Sequence, residues 1–141
     1  MNLPTLQSRA LASPDAVVEV ADCFAGIAEA LHHTLRLLSE QVNVSTEKAY
    51  ALITEEYGLR TRLGILRADA KNRTVAGVSI SQDGLVELLR RTASFIKDSR
   101  SLESIAFVVN SVSVLCVSTF PGKTETVDFL IERLQRDVAN A

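Results

Sequence analysis

Residues 104–122 carry no charge in a chain in which 23% of residues are charged. The other elements must cover such a run, so it constrains the fold more than any other stretch. As a strand pair, 105–109 and 112–117 would flank a turn at Asn110-Ser111, and their β-branched residues favour extended backbone. That turn lacks the glycine tight hairpins prefer, and neither run alternates apolar with polar. As a helix, the polar residues gather on one narrow stripe. Glu103 and Asn110 stand seven apart, and Ser104, Ser111 and Ser118 repeat at the same spacing. The rest is apolar, as in a helix enclosed by others. Ser99 or Ser101 suits its start and Pro121-Gly122 its end. The helix is the better reading. A membrane span is disfavoured by Asn110, by the serines and by the lack of a basic flank.

The flanking sequence reads as helices able to enclose it. Ser13 caps the first, Pro14 takes its first position, and Asp15 suits the positive end of the helix dipole. Val17, Phe24, Leu31 and Leu38 recur every seven residues, and Ala21, Ala28, Leu35 and Val42 repeat four residues later. They form one long apolar seam, opposite a solvated, mainly acidic face of Glu19, Asp22, Glu29, His33, Arg36 and Glu40. After a break at Asn43-Val44-Ser45, Ala49, Leu52, Ile53, Leu59, Leu63 and Leu66 mark a second helix, with a bend expected near Tyr57-Gly58. Residues 73–81 read as a connection with some extended structure. Ser81 and Thr124 then cap two further amphipathic helices.

The predicted fold is therefore all-α, a single-domain bundle of about five helices over 13–141 with a buried central helix near 104–118. The alternative is an α+β domain with a small sheet from 75–80, 105–109 and 112–117. Residues 1–12 read as a mobile lead-in, because Pro4, Gln7 and Arg9 interrupt any signal-like apolar segment. A length of 141 residues suits one domain, and an apolar content of 47% excludes a disordered chain. A net charge of −2 argues against binding nucleic acid or membrane through bulk charge. Cys23 and Cys116, both in apolar surroundings, read as free thiols of a cytoplasmic protein.

Three fragments resemble chemistry. Gly122-Lys123-Thr124 lacks the glycine a phosphate loop needs, since Val117 holds that position, and Phe120 and Pro121 crowd the loop. Glu29-Ala30-Leu31-His32 matches one step of a di-iron bundle, but beyond His32 and the adjacent His33 the chain has no histidine to complete a site. No base stands beside either cysteine, so no catalytic residue, cofactor or metal is assigned, and an enzyme is the class with least support. The third fragment, within 46–72, resembles a degenerate helix-turn-helix: a turn at Gly58, then a basic helix presenting Arg60, Arg62, Arg67 and Lys71 to DNA. Thr54 and Gly64 depart from that pattern.

The function expected first is a non-enzymatic helical interaction or adaptor protein. It would self-associate, most simply as a dimer, through Val17, Phe24, Leu31, Leu35 and Leu38 of the first helix. The reason is that this seam looks longer than the later helices can cover. A small DNA-binding regulator is the alternative.

Overall fold

In the computed structural model, which describes residues 8–41, 45–118 and 124–140, five α-helices make up the fold. They are α1 (Pro14–Ser39), α2 (Thr46–Ala68), α3 (Gln82–Asp98), α4 (Leu102–Ser118) and α5 (Thr124–Asn140), with a short 3-10 turn at Ala70–Asn72. No strand occurs among the described residues, so the three segments of the α+β alternative are not paired. The bundle closes as a ring. α1 lies between α2 and α3, α2 adjoins α4, α4 adjoins α5, and α5 returns more lightly to α3.

The helix starts follow the sequence. The hydroxyls of Ser13, Ser45 and Ser81 accept from the amides of Ala16, Lys48 and Gly84, and Ser101 does the same for Ser104. The expected end of α4 at Pro121-Gly122, the Gly122-Lys123 pair and Val42-Asn43-Val44 lie outside the described residues, as do residues 1–7.

α2 departs from expectation. It runs unbroken through Gly58 and Gly64, because Leu52, Leu59, Leu63 and Leu66 are all buried along one side. That burial outweighs the ~1 kcal/mol each glycine costs relative to Ala. α4 departs as well. Ile105, Val108, Val109, Val112, Leu115 and Cys116 are buried, but Phe107 (54% exposed), Val114 and Val117 face outward. A helix in a ring has an outer side, so α4 is not surrounded by its neighbours.

The third correction concerns the lead-in. Residues 8–12 are packed rather than loose. Ala10 and Leu11 are fully buried, and 8–11 run antiparallel to 75–82, with Ala10 N–H donating to the Ile80 carbonyl at 3.0 Å. The buried Gln82 amide locks this strap. Its oxygen accepts from Leu11 N–H at 3.0 Å, and its nitrogen donates to the Ala16 carbonyl and to Glu19. Leu11 itself sits at φ 63, a left-handed conformation that costs about 1–2 kcal/mol without a glycine. Both of its backbone groups are hydrogen-bonded, the carbonyl to Val75 N–H at 2.8 Å.

Candidate interaction surface

The five seam residues belong to the chain's own core. Val17, Phe24, Leu31, Leu35 and Leu38 are 6% exposed or less, covered by α2 on one side and α3 on the other. The sequence-based estimate of cover omitted α2, which runs antiparallel to α1 over most of its length. A second copy has no access to these residues while the protomer is folded, so self-association through α1 is corrected.

The basic residues of α2 are also placed differently. Without a turn at Gly58 there is no helix-turn-helix. Arg60 donates to Glu56 at 2.8 Å and to Glu29 at 3.3 Å, and Arg67 donates to Asp22 at 2.7 Å. The acidic face of α1 thus meets the basic row of α2, and the hydrogen bond to Glu56 raises the pKa of Arg60 further. Arg62 lies toward α4, near enough to Cys116 to pull its thiol pKa slightly down, while burial pushes that thiol up to about 12. Lys71 is exposed on the 3-10 turn. These four cations do not form one groove-reading row. Burial also raises the Cys23 pKa.

Glu29 and His32 both face α2 instead of a metal. His32 Nδ1 lies 3.3 Å from Glu56, a carboxylate that adjacency to Glu55 gave no reason to bury. Glu55 turns to the other side and accepts from Ser113 of α4 at 2.8 Å. Among the described residues, no cluster of three or more His, Cys, Asp or Glu side chains is arranged to hold a metal ion.

What the helices leave outside is more informative. The large hydrophobic residues exposed among the described residues are Leu37, Tyr50, Tyr57, Ile65, Phe107, Val114, Val117 and Phe129. All but Leu37 stand on α2, α4 and α5; α3 shows none, and its outer side carries Asp83, Glu87, Arg90, Arg91 and Lys97. The molecule is therefore two-sided. Along α2 the outward row is Tyr50, Thr54, Tyr57, Thr61, Gly64 and Ile65, and along α4 it is Ala106, Phe107, Asn110, Val114 and Val117. Between Tyr50 and Ile65 and between Ala106 and Val117 neither row contains a charge; Glu47 and Glu103 stand at their starts.

The charges bordering these rows are largely satisfied within the chain. Lys48 pairs with Glu103 at 2.9 Å, which lowers the Glu103 pKa, and Arg133 of α5 reaches Asn110 at 3.4 Å. Phe129, one turn before Arg133, falls beside the Val114 end of α4. Ser111, expected on the polar stripe, instead donates to Asp137 of α5 in a buried contact. Phe107, Val114 and Val117 all read as core in the sequence, within a helix expected to be enclosed. The available signal was the seven-residue step from Phe107 to Val114 through Asn110, which marks a side distinct from Ile105, Val112 and Cys116.

Among the described residues, no helix is long and apolar enough to cross a membrane. Comparison with protein-family models, with curated proteins and with solved structures gives no match.

Proposed function

We propose that the chain is a non-enzymatic interaction module that self-associates, with a second copy of itself covering the neutral face of α2, α4 and α5. The observation that carries this reading is the segregation of exposed apolar side chains onto that one side. Two features favour a second copy over another partner. In a two-fold interface each residue meets its own equivalent or a near neighbour, so charges at the centre would repel; the outward rows have none between Tyr50 and Ile65 of α2 or between Ala106 and Val117 of α4.

Area is the second feature. At ~200 Å² per aromatic side chain, the exposed parts of Tyr50, Tyr57, Phe107 and Phe129 come to ~500 Å². That is over half of the ~800 Å² each partner contributes to a standard interface.

The test is sedimentation of the wild type and of Val114→Lys over a range of micromolar concentrations. The wild type should form a dimer, and Val114→Lys should be monomeric with unchanged helicity, because Val114 is already 37% exposed. A wild type that stays monomeric, or a lysine variant that dimerises as well as the wild type, defeats the proposal.

A further inference from the structure

A groove bordering this interface, and sharing Tyr50 and Tyr57 with it, runs between the second half of α1 and the first half of α2. Two adjoining hollows, of about 290 and 230 Å³, share Ser39, Ala49 and Ile53 as lining residues. Followed along α2 from Thr46 to Tyr57, they make a channel ~17 Å long at 1.5 Å per residue. Leu35, Ala49 and Ile53 give it an apolar floor, and the small side chains of Thr46 and Ala49 leave space that larger ones would fill. Tyr57 stands at one end, and Tyr50 one turn in from the other at Thr46.

Near Tyr57 the groove is polar, with His32 facing Glu56, and Arg36 lies one turn of α1 further along, level with Ile53. Glu56 is already neutralised, with one oxygen 3.3 Å from His32 Nδ1 and the other accepting from Arg60 at 2.8 Å. It therefore offers little to a cation. Arg36 differs from Arg60 and Arg67 in having no carboxylate partner among the described residues. A guanidinium in that state presents paired N–H donors to an anion with two oxygens.

We propose that this groove binds a free medium-chain fatty acid, its tail along Leu35, Ala49 and Ile53 and its carboxylate on Arg36. The apolar floor takes the tail, and the cation beside it, unpaired among the described residues, takes the head.

The test is titration of the full chain with decanoate below its micelle concentration, followed by calorimetry and by chemical-shift changes. Binding should move signals of Leu35, Ile53 and Tyr57, and decyltrimethylammonium, with the same tail and a cationic head, should bind at least about tenfold more weakly. Arg36→Gln should lose about tenfold in affinity for decanoate, and Ile53→Glu should abolish binding. Arg36 is exposed, so its variant decides the matter even if Ile53→Glu fails to fold. Equal affinity for the two head groups, no effect of Arg36→Gln, shifts centred on Phe107 and Val114, or no binding at all would each overturn the proposal.

Discussion

Leu31→Ala separates a core seam from a dimer seam. Leu31 is fully buried at the middle of α1, facing the α2 and α3 sides of the bundle. Removing three carbons forfeits ~2.4 kcal/mol of transfer free energy at ~0.8 kcal/mol per methylene. The cavity left behind adds to that, bringing the loss to about 3–5 kcal/mol. Total stability of a domain is about 5–15 kcal/mol, so the variant should stay folded with little margin. For a chain of this size the melting temperature should fall by roughly 6–20 °C, at ~2–4 °C per kcal/mol.

The assay is urea unfolding followed by circular dichroism at two protein concentrations far apart. Because the seam packs within one chain, the loss should be the same at both, with an unchanged dependence on urea. A loss below ~0.5 kcal/mol would mean that Leu31 faces water. A loss that grows at high concentration would mean that a second copy covers the seam, contradicting the packing of α1 against α2 and α3.

Two further outcomes are expected. A Cβ at Gly64 would meet no atom within 4 Å, so Gly64→Ala should stabilise the dilute protein by ~1 kcal/mol in urea unfolding; a loss of stability would show that α2 is strained there. With its thiol pKa pushed up to about 12, Cys116 should label with a thiol reagent far more slowly at neutral pH than half-buried Cys23, and its rate should rise about tenfold per pH unit below that value. The same shift has a sign for stability. The unfolded thiol ionises near pH ~8.5 while the folded one keeps its proton, so the Cys116 contribution is complete below that pH and fades as pH rises toward 12. Labelling of Cys116 as fast as Cys23 at neutral pH would contradict its burial.

Helix placement was legible where local chemistry decides it. Ser13-Pro14, Ser45 and Ser81 mark starts that need no tertiary information, and the seven-residue recurrence from Val17 to Leu38 marks a buried stripe. Which element covers that stripe was not legible, because cover depends on ring order. α2 returns along α1 through Arg67–Asp22, Arg60–Glu29 and His32–Glu56, contacts between residues far apart in the chain. Gly58 misled for a related reason. Its local preference for a break is real, but four buried leucines on the other side of α2 hold the helix through it.

The exposed face was hidden by composition. Beyond Glu103, α4 carries no charge to mark an outward direction, so Phe107 and Val114 looked little different from Val109 and Val112. Residues 8–12 were opaque because their order depends on backbone hydrogen bonds to 75–82 and on Gln82, with no periodic pattern to announce them.

The measurement closest to the central claim is hydroxyl-radical footprinting of the unmodified chain in dilute and in concentrated solution. Labelling of Tyr57, Phe107 and Phe129, each more than half exposed in the single chain, should fall several-fold on concentration, while Leu37, the one large exposed hydrophobic off that face, should label equally in both. Unchanged labelling of the three aromatics, or protection confined to α1 and α3, would contradict a second copy on the neutral face.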